Sequence, residues 1–82
     1  MTTATFDIAT ATHLPNGAQI IERKPANSLW ATERWVVLAH WGHDEYVTWC
    51  VNQITGSAYW GHYFDRIDRA AEDFTTRCKQ GY

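Results

Sequence analysis

The stretch Glu33–Gln53, ERWVVLAHWGHDEYVTWCVNQ, decides the fold. Two runs rich in β-branched and aromatic residues, Glu33–Trp41 and Tyr46–Gln53, flank Gly42-His43-Asp44-Glu45. Such runs joined by so short a link predict an antiparallel hairpin. A third run, Ser57–Phe64 (SAYWGHYF), follows Ile54-Thr55-Gly56, where Gly56 suits a left-handed backbone position, and extends the hairpin to a meander.

Outward from this centre the signals change. Pro15-Asn16-Gly17 is a turn signal, so Phe6–Thr10 and Ala18–Lys24 are expected to form an N-terminal hairpin. Pro25 to Leu29 reads as a loop, with Asn27 and Ser28 favouring a turn. At the other end, Ile67, Ala70, Ala71, Phe74 and Cys78 recur at helical spacing. Asp65 is the expected N-cap. Asp68 and Glu72 favour the positive end of the helix, Arg77 and Lys79 the last turn, and Gly81 the stop. The fold class expected is α+β: an antiparallel sheet of about five strands with one C-terminal helix, Asp65 or Arg66 to about Lys79, on one face. Residues 1–82 form a single domain in this reading.

Alternation assigns faces once a register is chosen. A hairpin centred on His43-Asp44 pairs Leu38 with Trp49 and Val36 with Val51. A turn at Ile54-Thr55 pairs Val51 with Tyr59 and Trp49 with Gly61. One face then holds Val36, Leu38, Val47, Trp49, Val51 and Tyr59, the expected core under the helix. The other holds Trp35, Val37, Ala39, Trp41, Tyr46, Thr48, Cys50, Trp60 and His62. One helix covers one face, so the second needs another cover: the N-terminal hairpin, a second copy of the chain, or a partner. Large exposed aromatic patches mark interaction sites. Trp35, Trp41, Tyr46, Trp60 and His62 are therefore the candidate partner-binding residues, with Asp44 and Glu45 at the turn beside them. A register shifted by one would instead bury these tryptophans.

Composition narrows the function. Five Trp in 82 residues exceed what a small core needs, and Trp is enriched at the centres of interfaces. A net charge of −2 disfavours nonspecific nucleic-acid binding, which depends on Lys and Arg. Two cysteines, Cys50 and Cys78, make no disulfide framework and are expected on opposite sides of the sheet as free thiols. MTTATFDIAT has neither a basic start nor an apolar run, and no segment reaches the length of a membrane span, so the cytosol is the expected compartment.

The tripeptide Trp-Gly-His occurs at Trp41–His43 and again at Trp60–His62. The first copy straddles a turn and the second lies within a strand, where Gly61 makes room for Trp49, so the copies are read as independent rather than as a repeated site. A zinc site needs about four converging ligands. The turn between His40 and His43 points them apart, His62 is on another strand, and His13 has no evident partner, so no metal and no cofactor is expected. His62, Asp44, Glu45 and Asp65 could serve as acid–base groups. No nucleophile or phosphate-loop motif accompanies them, so an enzyme is not expected. Arg66, Asp68, Arg69, Glu72 and Asp73 are read as the outer face of the helix, solvated or available to a partner.

The second half of the chain resembles small proteins carried by phages and other mobile elements. The recurring elements are Tyr-Val-Thr-Trp at Tyr46–Trp49, Tyr-Trp-Gly-His-Tyr-Phe at Tyr59–Phe64, and a helix with Ala71, Asp73 and Phe74, together somewhat more than half the chain. In size and build the whole is similar to anti-CRISPR proteins that act on type I systems. That resemblance implies a non-enzymatic inhibitor, monomer or homodimer, that binds a subunit of the host CRISPR effector complex and blocks recruitment of target DNA, with no direct nucleic-acid contact. The alternatives are a nucleic-acid module stacking bases on Trp35, Trp41 and Trp60, or a small metal or enzymatic protein using its histidines.

Overall fold

A computed structural model describes residues 7–26 and 33–82. Four strands, β1 (Gln19–Pro25), β2 (Arg34–Trp41), β3 (Glu45–Asn52) and β4 (Ala58–Phe64), precede one helix, α1 (Ile67–Gln80). The strands form one antiparallel sheet in the order β1-β2-β3-β4. The α+β build with a C-terminal helix is as expected, with four strands among the described residues rather than about five.

The missing strand lies before Pro15. Phe6 falls outside the described residues, as do Asn27 to Leu29. From Asp7 the backbone turns instead of extending. Asp7 O accepts from Thr10 N and Ala11 N, and the Asp7 carboxylate accepts from Ala9 N and the Thr10 hydroxyl. An Asp side chain that bonds its own following backbone offers a local alternative to a ladder. The Pro15-Asn16-Gly17 turn forms as expected, with Gly17 at φ 94° and Asn16 Oδ1 accepting from Ala18 N at 2.9 Å. Among the described residues, only the isolated bridge His13–Gln19 pairs its two arms.

The β2–β3 hairpin corrects the expected register. Its loop has three residues, Gly42-His43-Asp44, because Gly42 adopts φ 73° and Trp41 pairs directly with Glu45. Leu38 therefore faces Thr48, Val37 faces Trp49 and Val36 faces Cys50. One residue of shift sends every β3 side chain to the face opposite the expected one. Val47, Trp49 and Val51 join Trp35, Val37 and Ala39, and Thr48 and Cys50 join Val36 and Leu38.

The apolar core consequently lies on the side away from the helix. Ile8, Leu14, Ala18 and Ile20 pack on Val37, Ala39, Val47, Trp49 and Val51, with Ala11, Trp35 and Ala58 at the margin. Arg23 fastens this N-terminal cover, its Nη1 donating to Ile8 O at 2.8 Å and to Ala11 O. The N-terminal segment thus covers the face that composition left open, but as a turn and coil and not as a hairpin.

The second sheet correction is a bulge in β4. Thr48 pairs with His62 and Cys50 with Tyr59, so Trp60 and Gly61 together oppose Trp49. Gly61 lies under the Trp49 ring, as expected: a Cβ there would stand 2.7 Å from Trp49 Nε1. Trp60 takes φ 54°, a left-handed conformation that costs a bulky residue about 1–3 kcal/mol. The bulge turns its indole to the helix side, within 6.5 Å of Tyr82.

α1 begins after Arg66, with no side-chain cap, so Asp65 is not the N-cap. It ends as expected at Gly81, whose φ of 87° lets its N–H return to Arg77 O at 2.7 Å. Of the expected stripe, Ala70 is buried and Ala71, Phe74 and Cys78 are partly so, but Ile67 is 47% exposed. Arg77 is buried beside them at 2% exposure.

Candidate functional site

The aromatic residues grouped by the sequence as one patch are divided between two faces. Trp41 stays on the side away from the helix. It meets the buried Trp49 edge-on, with ring centroids 5.2 Å apart, and Tyr63 at 6.3 Å. Tyr63, 53% exposed, is a member the sequence reading missed. Its pairing with Val47 beyond the bulge puts it on this face, and a bulge carries no reliable composition signal. Trp35 shares the face but is partly buried against the core, with its Nε1 donating to Gln53 Oε1 at 3.0 Å.

Trp60, Tyr46 and His62 lie on the helix side, contrary to the expectation that all would face away from it. Tyr46 stacks beside His40, centroids 5.1 Å apart, opposite Phe64. His62 Nδ1 donates to Asp73 Oδ2 at 2.9 Å. Asp73 is thus not an outer-face residue. The same oxygen accepts from the Thr48 hydroxyl at 2.6 Å, and Arg77 Nη1 donates to Thr48 O at 3.0 Å and to Thr48 Oγ1 at 3.1 Å. Arg77 Nη2 reaches Cys50 Sγ at 3.2 Å. The buried Val36, Leu38 and Ala70 lie on this side as expected, and the polar chain beside them fixes the helix to the sheet where a wholly apolar interface was expected. The expected register hides it, because that register puts Thr48 and Cys50 on the uncovered face.

Asp44 and Glu45 sit at the hairpin end beside Trp41 and Tyr63. They line a concavity of about 630 Å³ with Tyr63, Phe64, Asp65, Arg66 and Arg69. Arg66 pairs with Asp68 at 2.9 Å, and its hydrogen bond holds the Asp68 carboxyl below the usual carboxylate range. That pair is exposed and contributes little to stability. What little it adds is present above the unfolded carboxylate pKa and is lost as pH falls through the folded value.

Cys50 and Cys78 are free thiols, and both lie on the helix side of the sheet, not on opposite sides. Burial pushes the Cys78 thiol up, partly offset by the charge of Lys24. No group of three or more His, Cys, Asp and Glu among the described residues is placed to hold a metal ion. No helix of the described residues is long and apolar enough to cross a membrane.

The two Trp-Gly-His copies have different structural roles. Gly42 supplies a positive φ in open space, whereas Gly61 supplies clearance under Trp49. His43 is exposed, and its carbonyl, not its ring, meets His40 Nε2 at 3.3 Å. His43→Ala is therefore expected to change unfolding free energy by less than about 0.5 kcal/mol in a urea titration.

Fold and site together define a small α+β protein with a sheet covered on both sides and exposed aromatics at two separate places. Compared with protein-family models, curated proteins and solved structures, the chain shows no match.

Proposed function

We propose that this chain is a non-enzymatic binding protein that covers a basic surface of a partner protein. The observation that carries the proposal is the exposed Trp41–Tyr63 pair on a rigid base, next to Asp44 and Glu45. Trp49 holds both rings edge-on, at 5.2 and 6.3 Å, so they would lose little conformational entropy on binding. Aromatic anchors beside Asp44 and Glu45, across the concavity from Arg66 and Arg69, fit a partly apolar target whose basic groups meet the hairpin end, and the two acids steer its approach. Trp35, Trp41 and Trp60 do not lie on one accessible face, which disfavours a continuous base-stacking platform.

In its most specific form, following the resemblance to type I anti-CRISPR proteins, the partner is a DNA-binding subunit of a CRISPR surveillance complex in a host cytoplasm, and inhibition is steric. Purified chain is expected to co-elute with a reconstituted type I complex and to prevent its binding of target DNA, with affinity falling as salt rises. Asp44→Lys combined with Glu45→Lys should weaken the complex by about tenfold or more, roughly 1.4 kcal/mol. Failure to co-elute at low salt rejects the CRISPR target. Co-elution unaffected by the charge reversal rejects the surface.

A further inference from the structure

A second concave site lies on the helix side, away from the hairpin end. Trp60, His62, Arg77, Gln80 and Tyr82 line a groove of about 400 Å³. This is within the range of roughly 300–1,000 Å³ usual for small-ligand pockets. We propose that this groove binds a small molecule carrying a carboxylate on an aromatic ring.

The apolar part of that ligand is specified by Trp60 and Tyr82. Both rings are more than half exposed, and their planes meet at 83° with centroids 6.5 Å apart. Trp60 holds its position through a backbone conformation unfavourable to a large residue. A strained residue presenting an exposed ring to a groove is the kind of outlier from which a binding role is inferred. An aromatic ring fits edge-on or offset against such walls.

The charged part is specified by arginine. Arg77 is buried at 2% exposure, and no carboxylate lies within ion-pair distance of it among the described residues. Asp73 reaches it only through the Thr48 hydroxyl, and is shared with His62. Arg77 Nε has no hydrogen-bond partner. Arg34 Nε has none either, and that guanidinium sits 5.0 Å over the Trp60 ring. Buried cations are normally paired, so Arg77, with no carboxylate in contact, favours an anion nearby, and the half-buried Arg34 behind the Trp60 ring adds positive charge beside the groove without lining it. The end of α1 does not oppose it, because Arg34 Nη1 donates to Gly81 O at 2.8 Å and neutralises the carbonyl end of the helix. The groove uses none of Trp41, Asp44, Glu45 or Tyr63, so it stands or falls separately from the protein-binding surface.

The test is an amide and indole NMR titration of the full chain with 2-naphthoate, with 2-naphthamide as the uncharged match. Naphthoate is expected to shift the signals of Trp60, His62, Gln80 and Tyr82 saturably, and naphthamide to bind about tenfold more weakly or less. Trp60→Gly, which relieves the positive φ and so preserves the fold, should weaken naphthoate by about tenfold. Arg34→Gln should also weaken naphthoate while leaving naphthamide unchanged. Equal binding of the two probes, shifts centred elsewhere, no saturable shift up to about 10 mM, or a Trp60→Gly protein that binds naphthoate like the wild type would overturn the proposal.

Discussion

Arg77→Ala is expected to destabilise the protein by about 3–5 kcal/mol, enough to leave a chain of this size largely unfolded or close to it. Two losses add. The Thr48 carbonyl and hydroxyl lose the Arg77 donors at 3.0 and 3.1 Å inside a buried contact. An unsatisfied buried acceptor costs about 1–3 kcal/mol. The buried aliphatic stem is lost as well, at about 0.8 kcal/mol for each methylene group. Arg77→Met separates the two, since it keeps the apolar volume and removes only the donors. It is expected to fall between wild type and Arg77→Ala in a urea melt. An Arg77→Ala protein as stable as wild type would mean that α1 is not anchored through this residue.

Gly61→Val is the other large effect. A Cβ at this position would meet Trp49 Nε1 at 2.7 Å, Trp49 Cδ1 at 3.0 Å and Tyr63 Cε1 at 3.1 Å. Trp49 is buried in the core and cannot swing away without disturbing it. Overpacking of this kind costs about 1–3 kcal/mol, and a β-branched side chain belongs at or beyond the upper end. Gly61→Ala should cost less than Gly61→Val, and both should perturb the fluorescence of Trp49. Gly42→Ala offers a contrast. Nothing crowds its Cβ, so its cost is the backbone term of φ 73° alone, about 1 kcal/mol.

The elements themselves were legible. Three runs of β-branched and aromatic residues became β2, β3 and β4, the helical spacing after Asp65 became α1, and Gly81 ended it. The place of Gly61 under Trp49 was also legible, because a glycine in an aromatic strand implies close approach. Register was not. A link of Gly42 to Glu45 fits a two-residue or a three-residue loop equally well by composition, and the choice decides where Thr48, Trp49 and Cys50 point. The bulge at Trp60-Gly61 then returns the second half of β4 to the expected pairing of Thr48 with His62. Two local irregularities therefore divided the expected patch of Trp35, Trp41, Tyr46, Trp60 and His62. Asp73 and Arg77 were hidden for a related reason. Charged residues on a helix read as solvated unless a polar partner is known to lie on the sheet beneath, and a two-residue loop puts Thr48 on the face away from the helix.

The hairpin register sorts these aromatics into two sites, and side-chain contacts measured by NMR test it most directly. The Trp49 ring should show nuclear Overhauser contacts to the Trp41 and Tyr63 rings and to methyl groups of the core cluster away from the helix, while the Trp60 ring should show contacts to Tyr82. Contacts from Trp49 to Ala70 and Phe74 of the helix, with Trp41 and Trp60 sharing one face, would contradict the register and with it both proposed binding surfaces.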